Sequence, residues 1–356
     1  MGDAAFLFVG GTNGRKAPKH HNRIKKGMVM KTNNVIGLFL SVLGVLGLVA
    51  CGGGGGGGGD PAPTGPTGLT YTGVTTQAVI DVNNAAELAG EAFLGGETGS
   101  DIGLFSSVGE NQSKKVREIK LYEVVPIFGN ALYKIDFGSQ GGDLLAVKTD
   151  RDTILGDCGG SANYIVNMDD VSGAFTGLMT FSNFCNENST ISGNADFSGR
   201  IDVNSGTFLD FYLAINMVDL TSGGQSYVVD GAVSVELSGS SVTASIDMLM
   251  KDSSGEVFWV KDYTLKIAEG TDYVDIEVSG RFYHPAHGYV DLTTMTPFHT
   301  NTLDDWPSSG ELMIVGGLGT KARLIATDEN VCQVFADTNG DGAYDYDSGP
   351  ISWYDL

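Results

Sequence analysis

The chain has 356 residues, enough for two ordinary domains or one large all-β domain. Its 21 Lys and Arg stand against 43 Asp and Glu, a net charge of -22, which excludes the basic surface that nucleic-acid binding requires. A hydrophobic content of 42% is enough for a packed core and excludes global disorder, while four Cys are too few for a disulfide-dense scaffold. Gly supplies 52 residues, about twice the usual share, and the run Gly52–Gly59 explains only a few of them, so the rest point to many turns.

Val35–Ala50 is an unbroken apolar run with Lys31 just upstream. It is short for a membrane helix of about 20 residues and has the layout of a secretory signal. It ends in Leu48-Val49-Ala50-Cys51, which resembles the lipobox of bacterial lipoproteins. The resemblance implies cleavage before Cys51, lipidation of that residue and stable attachment through two or more acyl chains. Gly52 follows where an inner-membrane lipoprotein commonly has Asp, so the expected location is the outer membrane. The alternative is an uncleaved anchor with an incidental Cys.

A signal peptide rarely carries so long and basic a prefix. Residues 1–29 therefore read as a misassigned start, with Met28 or Met30 as the ordinary one and residues 30–50 as the signal peptide. Residues 1–50 contribute far more basic than acidic side chains, so the mature chain is more acidic still. Such a surface repels anionic headgroups and attracts divalent cations. Residues 51–69 combine a flexible Gly coil with Pro61, Pro63 and Pro66 and read as a tether.

The body begins near Thr70. Asn84–Leu94 reads as a helix, with Asn83 or Asn84 as N-cap, an apolar stripe of Leu88, Ala89, Ala92 and Phe93, a weakening Gly90, and Gly95-Gly96 at its end. Ser113–Val125 fits neither period cleanly, and a helix running into Pro126 is slightly favoured. From Ala162 onward, Val/Ile/Phe/Tyr/Thr runs alternate with turn signals at Ser172-Gly173, Ser192-Gly193, Asn204-Ser205-Gly206, Ser222-Gly223-Gly224, Ser238-Gly239, Ser253-Ser254-Gly255, Glu269-Gly270 and Ser279-Gly280. In Tyr273–Val278 the residues Val274, Ile276 and Val278 share the buried face. A faint repeat places Asn183-Phe184, Asp219-Leu220 and Asp252 at corresponding strand ends.

The expected fold class is all-β. Residues 70–330 form a large curved antiparallel meander, a half-barrel or barrel with a sandwich as the alternative, and carry one short N-terminal helix that plugs or covers the concave side. Residues 331–356 form a C-terminal hairpin with an acidic loop. Ala78–Gly90, Gly156–Ala162, Tyr273–Tyr283, Trp306–Leu324 and Asp337–Gly349 together resemble a group of bacterial lipoproteins without an assigned activity. That resemblance bears on architecture and location, not on chemistry.

Asp337–Asp345 (DTNGDGAYD) is the sharpest motif. It resembles the first nine positions of a calcium loop, with Asp337, Asn339, Asp341, the Ala343 carbonyl and Asp345 as oxygen ligands. Position twelve is Ser348 instead of Glu, and Val331–Ala336 and Ala343–Tyr346 look like strands instead of helices. The competing reading is an acidic hairpin tip turning at Asn339-Gly340 or Asp341-Gly342.

Cys158 and Cys185, both beside turn residues in an exported chain, are expected to form a disulfide. Cys332 is left as a buried thiol, with pairing to another chain as the alternative. His284-Pro285-Ala286-His287 reads first as a hairpin tip. A metal pair joined by Asp291 or His299 is the sharper alternative. Trp259, Trp306 and Trp353 read as core or sheet-face residues.

No G-x-S-x-G, H-E-x-x-H, C-x-x-C or Walker A motif is present. The leading expectation is a non-catalytic envelope lipoprotein, a β-sheet binding or structural module that holds an apolar ligand or meets an envelope protein. A surface adhesion protein with a weak calcium site is one alternative, and a hydrolase using scattered acidic residues is another.

Overall fold

The computed structural model describes residues 68–97, 147–186, 189–204, 208–222, 224–238 and 241–356. The signal segment, the lipobox, Cys51, nearly all of the tether and Ser113–Val125 lie outside the described residues. Among the described residues one α-helix, α1 (Ala85–Glu97), precedes fourteen strands. These are β1 (Val147–Leu155), β2 (Gly159–Asp169), β3 (Ala174–Asn186), β4 (Ser189–Ile201), β5 (Phe208–Ser222), β6 (Gln225–Ser238) and β7 (Ser241–Lys251). They continue with β8 (Val257–Glu269), β9 (Tyr273–His284), β10 (Gly288–Asn301), β11 (Ser309–Val315), β12 (Lys321–Asp328), β13 (Val331–Asp337) and β14 (Tyr346–Ser352). All fourteen pair antiparallel in chain order in a single open sheet.

The buried faces follow the period of two that a half-covered antiparallel strand requires. On β9, Val274, Ile276 and Val278 are buried as expected. On β6, Val229, Val233 and Val235 are buried, while Ser234 between the last two and Glu236 after them are more exposed. Of the eight turn signals, Ser172-Gly173, Ser253-Ser254-Gly255 and Glu269-Gly270 lie at strand ends, and three others include residues outside the described ones. The other two, Ser192-Gly193 and Ser279-Gly280, lie inside β4 and β9. Gly280 has φ 146°, and a Cβ there would stand 2.5 Å from the Tyr263 ring, so this glycine admits an aromatic side chain and does not reverse the chain.

The sheet starts earlier than the apolar pattern suggests. β1 (VKTDRDTIL) lacks apolar alternation and, among the described residues, pairs on one side only, where its polar residues discourage further pairing. Thr149 and Thr153 bond to Asn167 and Asn163 across the β1–β2 pair. At the other end β13 pairs with β12, so the C-terminal hairpin continues the same sheet.

α1 buries Ala85, Leu88, Ala89, Ala92, Phe93 and Leu94, including the whole expected stripe. Its start differs from the expectation. Asn84 does not cap the first helical amides; its Oδ1 accepts from Asp81 N at 2.8 Å and its amide donates to Val79 O at 3.0 Å. Asp81 Oδ1 accepts from Asn83 N and Asn84 N and so shapes the entry turn. The helix also runs through Gly95 to Glu97, because Gly95 lets it approach Val260 and Tyr263 closely. Gly90 faces Leu356, whose side chain occupies the space a Cβ would need.

α1 packs on β8, β9, β10, β12 and β13. Five interstrand steps separate β8 from β13, about 24 Å across the sheet, and α1 with its 13 residues is about 20 Å long, so the helix covers this stretch of one face.

Candidate functional site

The chain enters the body on the other face of the sheet. Leu69 N donates to the buried Asp230 Oδ2 at 2.9 Å. Leu69 and Tyr71 complete a second buried cluster with Leu249, Val257, Trp259 and Tyr283. Tyr71 donates to His284 O at 2.9 Å, at the tip of the β9–β10 hairpin. Val74–Ile80 then crosses the strand ends. Val74 N donates to Pro285 O, Gln77 forms an isolated parallel bridge with Tyr289, and Ile80 N donates to Thr320 Oγ1. This crossing delivers α1 to the opposite face beside the same hairpin.

There the helix and the hairpin tip bring four titratable side chains together. α1 supplies Glu87 and Glu91, one turn apart on one face. The tip supplies His284 and His287, whose rings stack with centroids 4.5 Å apart. His284 Nε2 lies 3.6 Å from Glu87 Oε1 and 3.4 Å from Glu91 Oε2, and His287 Nε2 lies 3.1 Å from Glu87 Oε2. One ligand atom from each of Glu87, His284 and His287 lies within 4.8 Å of the others. His284 is buried, with Phe258 edge-on to its ring, while Glu87 and His287 reach solvent.

His284 Nδ1 accepts from Ala286 N at 3.1 Å and His287 N at 3.3 Å. Its lone pair is therefore at Nδ1 and its proton at Nε2, towards the carboxylates. Burial, aided by His287 and opposed by Glu87, lowers the ring pKa to about 4. The residues suggested by sequence proximity do not join this cluster. Asp291 is held by Arg281, with Nε to Oδ1 at 2.7 Å, and His299 pairs with Asp275 at 2.7 Å. Glu87 and Glu91 escape sequence reasoning because they are about 200 residues away. Their only local signal is a pair of Glu one helical turn apart.

The five residues of the acidic motif do form one loop, between β13 and β14. Asp337 is buried; its Oδ1 accepts from Gly340 N at 2.8 Å and Asp341 N at 3.2 Å, and its Oδ2 from Gly342 N at 2.8 Å. Asn339 accepts from Asp341 N, Asp341 from Ala343 N, and Asp345 from Thr338 N and Oγ1. The Thr338 bonds hold the Asp345 carboxyl below its usual range. The carboxylates thus order the loop's own backbone. Both flanks are strands, but the second begins only at Tyr346.

Cys158 and Cys185 are joined as a disulfide between the start of β2 and the end of β3. Cys332 is a fully buried free thiol, and burial pushes its pKa up to about 12. It therefore has no accessible route to another chain in the folded state. Trp259, Trp306 and Trp353 are all buried. Trp306 stacks on Trp353, which in turn packs against Phe93 of α1.

Among the described residues no helix is long and apolar enough to cross a membrane. No family model, curated protein or solved structure matches the chain.

Proposed function

We propose that the chain is a lipid-anchored, non-catalytic module of the bacterial cell envelope. In this reading Cys51 carries the anchor, residues 51–69 space the body from the outer membrane, and the curved sheet is a structural or binding surface for an envelope partner. One observation supports it above the rest. The tether gives way directly to buried attachment, with Leu69 bonded to Asp230 and Tyr71 packed among Trp259 and Tyr283. A pull on the tether is then taken up by the middle of the sheet and not by a loop. A second observation favours a structural role over an apolar-ligand carrier. α1 already covers β8, β9, β10, β12 and β13 on one face of the sheet, so a ligand there competes with Leu88, Ala92 and Phe93.

The test is expression of the full chain and of Cys51→Ala in a bacterial host, followed by fractionation and intact mass. The expected result is a detergent-extractable membrane protein that begins at Cys51 and carries acyl chains. The variant should appear in the soluble fraction with its sheet intact. A variant that remains with the membrane, or a wild-type chain without acyl mass, refutes the anchor. Release of an apolar molecule on denaturing the purified protein would instead support the carrier reading.

A further inference from the structure

We propose that Glu87, His284 and His287, with Glu91 beside them, form a binding site for a Zn²⁺-class divalent cation that fastens α1 to the β9–β10 hairpin. The argument begins with distances. Ligand atoms about 2.0–2.2 Å from a tetrahedral Zn²⁺ lie about 3.3–3.5 Å from one another. The nitrogen–oxygen separations are 3.6 Å from His284 to Glu87 Oε1, 3.4 Å from His284 to Glu91 Oε2 and 3.1 Å from His287 to Glu87 Oε2, and one ligand atom from each of Glu87, His284 and His287 lies within 4.8 Å of the others, so a short movement closes the set around one ion. The two made by His284 exceed the roughly 2.7–2.9 Å of a charge-assisted hydrogen bond, but they match the edge of a coordination shell. His287 and Glu87 are directly hydrogen-bonded, while the longer His284 contacts are the ones an ion would draw into coordination.

The donor set selects the ion. Two imidazoles with carboxylate oxygens suit Zn²⁺ and its neighbours, while Ca²⁺ and Mg²⁺ take oxygen ligands. Two carboxylates on one helix face repel each other, and a cation relieves that repulsion. The site is also built from pairs at fixed spacing, Glu87 and Glu91 on a helix and His284 and His287 on a three-residue turn. Solvent reaches it past Glu87 and His287, which gives an ion its entry.

Coordination makes a specific structural demand. A neutral imidazole bound through Nε2 carries its proton on Nδ1. In the present arrangement Nδ1 of His284 accepts from the Ala286 and His287 amides. Binding must move the ring proton from Nε2 to Nδ1 and turn both amides away. The hairpin tip therefore changes conformation when the ion enters, and this distinguishes the site from adsorption to an acidic surface.

The experiment is titration of the full chain with Zn²⁺, read by calorimetry, thermal unfolding and the backbone amide and imidazole nitrogen signals. The expected result is one tight site whose occupation shifts the Ala286 and His287 amides and moves the His284 proton to Nδ1. At 100-fold excess over Kd it should raise Tm by about 5 °C. His287→Gln and Glu87→Gln should each weaken this binding by more than the roughly 10–100-fold that outer partners of a metal site contribute. Both positions are partly exposed, so the folded sheet should survive, as circular dichroism will report. Ca²⁺ and Mg²⁺ should produce none of these shifts. Zn²⁺ that binds both variants as tightly as the wild type, or that leaves the hairpin amides unmoved, places the ion elsewhere, for example at His20 and His21, and overturns the proposal.

Discussion

The Tyr263 hydroxyl donates to the Ala92 carbonyl at 3.1 Å, joining β8 to the second half of α1 from a fully buried position. The ring reaches that point because residue 280 on the neighbouring strand has no side chain. Tyr263→Phe should cost about 1 kcal/mol, since the carbonyl loses one partner and the ring stays packed. Gly280→Ala should cost more, about 2–4 kcal/mol, because it meets the ring and also forces alanine into a φ of 146°. Urea midpoints with unchanged slopes measure both. Equal losses for the two variants would mean that the ring can move aside.

Cys158 and Cys185 tie the outer end of the β2–β3 pair, near the polar edge of the sheet. The bridge closes a loop with a sequence separation of 27. The chain-entropy treatment assigns such a loop about 3–4 kcal/mol. Reduction, or Cys158→Ser with Cys185→Ser, should lower stability by that order. It should also speed amide exchange in β1–β3 more than in β9–β13. Uniform acceleration over all strands would show that the sheet opens as one unit and that the edge has no separate stability.

Much of this architecture was readable from the sequence, for identifiable reasons. Val274, Ile276 and Val278 betray a one-sided strand, and Leu88, Ala89, Ala92 and Phe93 betray a helix face, because burial imposes its period on the residues themselves. β1 was hidden because VKTDRDTIL carries no apolar alternation, and its place in the sheet comes from pairing with β2 instead. Ser279-Gly280 and Glu269-Gly270 look alike locally, yet only the second reverses the chain. The difference lies in Tyr263, a side chain on another strand. The His–Glu cluster was legible only by half. His284 and His287 stand out as a pair, but Glu87 reaches them through the crossing of Val74–Ile80, which leaves no local mark.

Asp337 accepts from three backbone amides while it is almost wholly buried, more than any other side chain of the acidic loop. Asp337→Ala should leave those donors short of partners and cost about 2–4 kcal/mol. In chelator, the amides of Gly340 and Gly342 should exchange slowly in the wild type and quickly in the variant. If both exchange quickly in the wild type until millimolar calcium is added, the ion and not the carboxylate alone orders the loop.

His284 makes stability depend on pH in a predictable direction. Its folded pKa is lowered from 6.5 to about 4, mainly by burial, with His287 adding to the shift and Glu87 opposing it. Between these two values the unfolded chain takes up a proton that the buried ring refuses. The contribution is therefore complete above about pH 6.5 and is lost as pH falls towards 4. Its size is on the order of 2–3 kcal/mol, given the nearly complete burial of the ring. Carboxylates throughout this acidic chain also titrate near the lower limit, so the informative quantity is the difference between wild type and His284→Gln. Measured in chelator, the wild type should lose stability faster than the variant between pH 6.5 and 4, and the two should run parallel above 7. Parallel curves through the whole range would mean that the folded ring titrates as it does in the unfolded chain, and that the hairpin tip opens to admit a proton without resistance from α1.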